Sequence, residues 1–429
     1  MKFSRRDLLK SGAASVAAVA AGQVARPFTD ASGEQTALPP AFDKLKPLGE
    51  RVQPITTQEY QGRIALAQRL MTDPKPQFSA LYVTPGTSLA YYTGIRWGMS
   101  ERIVALLVPR QGDPLLICPA FEEGRLRELL RWPIEIRVWQ EDESPYAVAA
   151  QWLVERKVRT GRIGVEETTR YVFFDGLRRA APSLECTSGD AVTHGCRAVK
   201  TEHELELMRL ACAATFDVFR SVFASLREGL TQYDVADMVS RGFARMGLQG
   251  GALVLFGEWA ALPHGTRQPQ KLAAGQVVLI DGGCTVEGYE SDVTRCSVIG
   301  KPPDKLLRAF DILRKAQDAA LAAAVAGHLS GSVDDAARKV VTDAGFGPGY
   351  KFFAHRLGHG IGMDGHEWPY LVRGSKTILR PGMTFSNEPG IYVRGDYGVR
   401  LEDDMVIADS GAAHLLTPGF SPSLEDPVG

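Results

Sequence analysis

Five side chains in the second half of this 429-residue chain can bind a metal and stand where a lone charge would be costly. Asp281 and Asp292 lie in "QVVLIDGGCTVEGYESDVTRC", two apolar runs joined by a Gly-containing turn, which predicts a hairpin. Burying an unpaired carboxylate costs several kcal/mol, so an aspartate ending an apolar strand is normally avoided and becomes reasonable if a cation waits there. Glu388 sits against Pro389 and Gly390 after the apolar run of "GMTFSNEPGIYV", and Glu402 lies inside the strand-like "GVRLEDDMVI". His359 belongs to "HRLGHGIGMDGHEWP", residues 355–369, which holds three of the chain's eight histidines. A single turn carboxylate is ordinarily solvated or capping. Five such groups in one domain, each in an apolar or glycine-rich setting, point instead to one metal site.

That site is not a helical zinc-protease motif. His366 and Glu367 begin a possible HExxH, but its fifth position is Tyr370, and Pro369 lacks the N–H a helix needs. Gly358, Gly360, Gly362 and Gly365 also weigh against a helix through His359. The segment reads as strand and loop, with glycines that let backbone approach something closely. "GFGPGY" at 345–350 has no apolar strand before it and reads as a loop, not a nucleotide-binding turn. No GxSxG elbow or catalytic-cysteine signature is present.

The elements that must position these residues divide the chain. At its start, the basic "SRRDLLK" precedes the alanine-rich "SGAASVAAVAAG", the order of an export signal over residues 1–25. The run falls far short of the roughly 20 apolar residues that span a bilayer. Arg5 and Arg6 resemble the twin-arginine signal, with Leu8 where that motif usually has phenylalanine. The expectation is recognition by the twin-arginine export machinery and a periplasmic mature protein. Residues 26–51 are polar and proline-bearing and read as a linker. From 52 to 190, β-rich "FSALYVT", "RIVALLVP" and "PLLICP" alternate with helical "EYQGRIALAQRLM" and "EEGRLRELLR", an α/β pattern. A second domain, 198–422, opens with a long amphipathic helix that Thr201 and Glu204 would cap. Six cysteines without CxxC spacing read as packed thiols, and a net charge of −1 gives no electrostatic case for nucleic acid.

Together these segments resemble the pita-bread metallopeptidase superfamily: prolidases, aminopeptidases P, methionine aminopeptidases and the metal-free creatinases. Its ligands, in the order Asp, Asp, His, Glu, Glu, correspond to Asp281, Asp292, His359, Glu388 and Glu402, within "DGG", "SDVTR", "GHGIG", "EPGIY" and "VRLED". The resemblance implies an α+β chain, a C-terminal pita-bread catalytic domain preceded by a smaller α/β creatinase-type domain containing "YYTGI". It also implies two divalent ions per subunit. Asp292 and Glu402 would bridge them, Asp281 would bind one, and His359 and Glu388 the other. Such oxygen-rich donors suit Mn2+ foremost, then Co2+, Fe2+ or Zn2+. A metal pair activates water and polarises the scissile carbonyl, and Glu388 would serve as general acid and base. His366 corresponds to a histidine that helps stabilise the tetrahedral intermediate, and His264 in "ALPHG" to the family's other substrate-facing histidine. His355 is either a pocket residue or a structural one. Arg400 shares a strand face with Glu402 by the two-residue period, placed to orient that carboxylate or to hold substrate. His194, His203, His328 and His414 read as surface or helix residues. Family members are commonly homodimers in which the first domain shapes the partner's pocket, and Trp97 is either such a lid residue or a packed loop tryptophan.

A full ligand set separates the chain from creatinases and from inactive peptide-binding relatives, and the first domain separates it from methionine aminopeptidases. The expectation is hydrolysis of the bond before proline in a small peptide. "GHGIGMDGHEWP" looks like the prolidase form, an Xaa-Pro dipeptidase. The alternatives are an Xaa-Pro aminopeptidase on longer peptides and a hydrolase of another small amide. A dipeptidase needs a cation for the product's free carboxylate. Arg373 in "YLVRGSK" lies where prolidase-like relatives place an arginine; the other reading is a solvated surface residue.

Overall fold

The computed structural model describes residues 37–72, 77–418 and 423–429. The export-signal reading of residues 1–25 and the first part of the linker lie outside the described residues. The second part of that stretch is no free linker. Phe42, Leu45 and Leu48 are buried, and Phe42 lies against Gly242, where a side chain would collide with Val218. The prolines and lysines of "TALPPAFDKLKPLG" mask apolar residues spaced to face one core.

The first domain is built on six strands, β1 (Ala80–Val83), β2 (Ala105–Pro109), β3 (Leu115–Pro119), β4 (Glu135–Trp139), β5 (Gly161–Val165) and β6 (Leu184–Ser188). They lie in the order β4-β3-β2-β1-β5-β6, antiparallel at β1/β2 and β2/β3 and parallel elsewhere. Its helices are α1 (Thr57–Leu70), α2 (Thr87–Thr93), α3 (Glu123–Leu129), α4 (Pro145–Glu155), α5 (Tyr171–Ala180) and α6 (Asp190–Arg197). Alternation sorts the sheet's side chains between two cores. Ala80, Tyr82, Leu107 and Ile117 meet Trp152, Leu153, Phe173 and Leu177 of α4 and α5. Leu81, Val83, Leu106, Val108 and Leu116 face a larger core that continues into the second domain. Both faces are covered, which is why the strands read as unbroken apolar runs.

The second domain passes twice from a helix pair to antiparallel strands. In the first pass α7 (Glu202–Phe223) and α8 (Gln232–Arg245) lead to β7 (Gln249–Phe256), β8 (Val277–Val286), β9 (Tyr289–Glu290) and β10 (Val293–Val298). These pair in the order β10-β8-β7, with β9 beside β8. In the second, α9 (Asp304–Ala323) and α10 (Ser330–Asp343) lead to the rest. Strands β11 (Gly358–Gly360), β12 (Glu367–Leu371), β13 (Thr384–Asn387), β16 (Asp403–Ile407) and β17 (Ala413–Leu415) form one sheet, and β14 (Gly390–Val393) with β15 (Tyr397–Arg400) a separate hairpin. The capping box expected on α7 is present: Thr201 N donates to Glu204 Oε2 at 2.7 Å, and Glu204 N to Thr201 Oγ1 at 3.3 Å. All six cysteines are free thiols, Cys186 partly accessible and the others buried.

Two glycines show what the glycine-rich motifs are for. A Cβ on Gly283 would lie 1.8 Å from the Ser291 carbonyl oxygen, and one on Gly358 would lie 2.0 Å from that of Ser386. Only glycine lets these strands close so tightly beside the carboxylates.

Candidate metal centre

The expected β8–β10 hairpin forms, with Asp281 opposite Thr294 and Gly282 opposite Val293. Asp292 precedes β10, His359 is central in β11, and Glu388 follows β13. Glu402 lies between β15 and β16 rather than within one strand. It forms an isolated bridge to Thr294, its N–H donating to the Thr294 carbonyl at 3.2 Å, and so joins the hairpin. Donor atoms of Asp281, Asp292 and Glu402 lie within 4.8 Å of one another. The same holds for His359, Glu388 and Glu402, and for Asp292, His359 and His366. Asp292 and Glu402 are therefore the carboxylates with a place on both sides of the cluster.

The two sides differ in charge. Burial pushes the Asp281 carboxyl up, but Arg400, Thr294 and Glu402 together outweigh it and hold Asp281 below its ordinary range. Arg400 reaches Asp281 with Nη2, Thr294 Oγ1 with Nε at 3.1 Å, and the Tyr392 hydroxyl with Nη1 at 2.9 Å. Asp292, Glu388 and Glu402 are all pushed well up, by burial first and then by neighbouring carboxylates. Burial and the nearby His366 bring His359 down to about 3, so its imidazole is neutral. His359 Nδ1 lies 3.1 Å from the Gly360 carbonyl and donates to it. That bond fixes the tautomer and leaves the Nε2 lone pair 3.4 Å from Glu388 Oε1 and 3.8 Å from Asp292 Oδ2. A lone pair aimed at crowded carboxylates, with one arginine as counter-charge, fits divalent cations and little else.

The other expected residues are placed as follows. His366 stacks on His359 with ring centroids 3.7 Å apart, at the exposed rim. Its neighbour Glu367 turns away into a buried pairing with Lys200 at 2.6 Å and Arg197 at 2.8 Å. His264 is exposed in the loop after the short helix Gly257–Ala261, and Arg400 Nη1 holds that loop through the Pro263 carbonyl at 3.3 Å. His264 is near enough that its charge acts on both His355 and His366. His355 Nε2 meets the Tyr392 hydroxyl at 2.7 Å, and its Nδ1 lies 3.6 Å from Glu388 Oε2. Trp97 is half-buried beneath the Arg125 guanidinium, 4.5 Å from its ring centroid.

Arg373 is not brought to the site. It is exposed and pairs with Asp335 of α10 at 3.3 Å, because it follows β12 on the turn that leaves the cluster. An exposed cation beside the histidines is Arg356, whose guanidinium covers the Tyr370 ring at 4.3 Å and acts electrostatically on His359 and His366. Sequence reasoning also passed over Thr294, Tyr392 and Asp404. Thr294 Oγ1 stands 2.6 Å from Glu402 Oε2 and 3.0 Å from Asp281 Oδ1. Asp404 Oδ2 accepts from Asp292 N at 2.9 Å. Thr294 and Asp404 each lie two residues beyond a candidate ligand, Asp292 and Glu402, so the strand period offered a signal for them.

Comparison with known proteins agrees with this geometry. The model of metallopeptidase family M24 matches residues 206–409, and the creatinase/prolidase N-terminal domain matches residues 63–199. A probable dipeptidase PepE of Mycobacterium tuberculosis is 35% identical over 361 residues, 83% of this chain and 94% of that protein. An Xaa-Pro dipeptidase of Lactobacillus delbrueckii subsp. lactis is 34% identical across 77% of this chain and 90% of that protein. The crystal structure of dipeptidase PepE from Mycobacterium ulcerans superposes with a TM-score of 0.78 at 32% identity, covering 86% of this chain and 98% of that one. With both domain matches in register and relatives aligned across nearly their whole length, the chain belongs to metallopeptidase family M24 and carries the creatinase/prolidase N-terminal domain.

Proposed function

We propose that this metallopeptidase is an Xaa-Pro dipeptidase working with two divalent cations, Mn2+ the preferred pair. The observation that carries the reading is the buried donor cluster in which Asp292 and Glu402 belong to both sides. When bound, the cations supply Lewis acidity and a nucleophile from water at neutral pH. The chain's own residues do the rest. Glu388 takes the proton of the attacking water and returns it to the departing proline nitrogen, a role its place among the donor atoms allows. Arg400 and Thr294 hold Asp281 and Glu402 in place. His366 and His264, at the rim, donate hydrogen bonds to the oxygen that gains charge as the carbonyl is attacked. Arg356 is the cation placed to receive a dipeptide's free carboxylate. The names of the PepE and Xaa-Pro dipeptidase relatives favour dipeptides over longer chains. Steady-state assay of an Xaa-Pro dipeptide, its prolyl amide and an Xaa-Pro-Xaa tripeptide tests this. Higher kcat/KM on the tripeptide than on the dipeptide would establish an aminopeptidase instead.

The exported, periplasmic reading belongs to the same proposal, supported by the sequence of residues 1–25. Arg5→Lys with Arg6→Lys is expected to retain active enzyme in the cytoplasm, and undiminished export of that variant would remove the twin-arginine route. The homodimer reading is supported by exposed Phe121, Tyr171 and Val172 on the first domain and is checked by sedimentation velocity.

A further inference from the structure

A second donor cluster lies in the first domain, at the start of α6. Asp190 and His194, four residues apart, share one helix face, and Glu167 comes from the loop after β5. One ligand atom of each lies within 4.8 Å of the others. His194 Nε2 stands 2.9 Å from Glu167 Oε1. Asp190 Oδ1 is closed off from solvent and has no hydrogen-bond partner. Buried carboxylate oxygens are seldom left so. Among the described residues, no arginine or lysine forms a salt bridge with Glu167 or Asp190; the pairing of Glu167 is with His194. A plain His194–Glu167 hydrogen bond leaves the Asp190 oxygen unexplained.

We propose that Glu167, Asp190 and His194 bind a divalent transition cation of the Zn2+ class, with solvent completing its shell. Two carboxylates offset the cation's charge, both are donor types that Zn2+ accepts, and the imidazole nitrogen favours a transition cation over Mg2+ or Ca2+. The site is separate from the catalytic cluster and shares no residue with it. Its position gives it a consequence. The His194 ring stacks on Trp368 of β12, centroids 5.7 Å apart and planes within 9°. Further along α6, Arg197 holds Asp364 at 2.6 Å and Glu367 at 2.8 Å, on either side of His366. A cation on His194 fixes that ring, and with it the seam between the first domain and the strand that follows His366.

The test is the metal content of the intact protein dialysed against buffered Zn2+, for the wild type, Glu167→Gln and Asp190→Asn, beside turnover with the catalytic ions resupplied. Each variant is expected to hold about one ion per chain fewer than the wild type while keeping its turnover. Equal metal content in all three proteins overturns the proposal. So does a joint loss of ions and turnover, which places the effect at the catalytic cluster. The Glu167 side chain is 53% exposed, so Glu167→Gln decides the matter if Asp190→Asn fails to fold.

Discussion

The two domains treat charge in opposite ways. In the first, the central strands β1, β2 and β3 are apolar and buried throughout, and most of the domain's ion pairs are partly exposed to water. Arg137, for example, pairs with Glu135 at 2.9 Å and Glu155 at 2.7 Å with each side chain at least 30% exposed. Such pairs contribute roughly 0–1 kcal/mol and exchange readily with solvent. In the second domain the strands and the link between them carry buried charge: Arg295, Arg400, Glu402, Asp403 and Asp404 are all nearly inaccessible. Arg295 and Asp403 meet at 2.6 Å with side chains 0% and 1% exposed. A fold keeps so much desolvated charge where function requires it, and the cluster around Asp281 still lacks counter-charge once every internal pair is made.

The largest effect should come from breaking that cluster. Glu388→Gln keeps the shape and removes the proposed proton carrier, so kcat is expected to fall about 10²–10⁴-fold. Asp292→Asn removes a donor with a place on both sides and should lose bound metal and turnover together; elemental analysis beside kinetics checks both. Full activity in either variant, or in the metal-stripped enzyme, would end the metallopeptidase mechanism. Next in size is Arg400→Met, which leaves Asp281 without its protein cation. Removing one partner of a buried pair costs roughly 3–5 kcal/mol. Urea unfolding of metal-free Arg400→Met against metal-free wild type should show a loss of that order, and added divalent cations should recover part of it. Equal stability of the two metal-free proteins would mean that solvent already compensates Asp281.

The same contrast explains what the sequence made legible. A carboxylate in an apolar run is conspicuous, so Asp281, Asp292, Glu388 and Glu402 could be singled out, and the glycines around His359 marked close backbone approach. The capping box at Thr201 was legible because it is local. Residues that act by orienting a ligand were harder to find. Thr294 and Tyr392 are unremarkable in any strand and gain meaning only when β10 meets the segment carrying Glu402, or when β14 brings Tyr392 beneath His355. Arg373 and Arg356 flank the same motif, and a chain of letters does not say which lies beside the pocket and which on the outer turn. The structure decides this through the Arg373–Asp335 pair and the Arg356–Tyr370 contact.

That pair of arginines gives a prediction of intermediate size. Arg356→Ala should raise KM for an Xaa-Pro dipeptide by roughly ten- to a hundredfold, the loss of a charge-assisted hydrogen bond of about 1.5–3 kcal/mol. The prolyl amide, which carries no carboxylate, should be nearly unaffected. Arg373→Ala should change neither substrate. A matching loss on acid and amide would show that Arg356 supports the pocket and not the carboxylate.

The smallest effect lies where the two treatments of charge meet. His203 of α7 in the second domain binds Glu59 of α1 in the first, Nδ1 to Oε1 at 2.6 Å, with Nε2 facing the Gln53 carbonyl at 3.1 Å. From sequence His203 reads as a surface or helix residue, since its partner is 144 positions away. Burial pulls the His203 pKa down, but the Glu59 hydrogen bond and charge outweigh it and raise the imidazole above its usual 6.5. For Glu59, burial pushes up and the bonds from Thr56 and His203 outweigh it, leaving the carboxyl lowered. A raised histidine contributes stability that is whole below its unfolded pKa and is lost as pH rises through the folded one. A lowered glutamate contributes above its unfolded pKa and loses it as pH falls through the folded value. The pair therefore stabilises most between the ordinary glutamate range and the ordinary histidine value of 6.5, and less as pH rises from there through the raised histidine pKa. With side chains 22% and 27% exposed, the contribution is held to about 1 kcal/mol or less. Urea unfolding of wild type and His203→Ala should differ by that amount near pH 6, and part of the difference should disappear by pH 8.5. Arg137→Met, which removes only partly exposed pairs within the first domain, should show no such pH dependence. A constant gap between His203→Ala and wild type across this range would assign the histidine a packing role and remove charge from the seam between the domains.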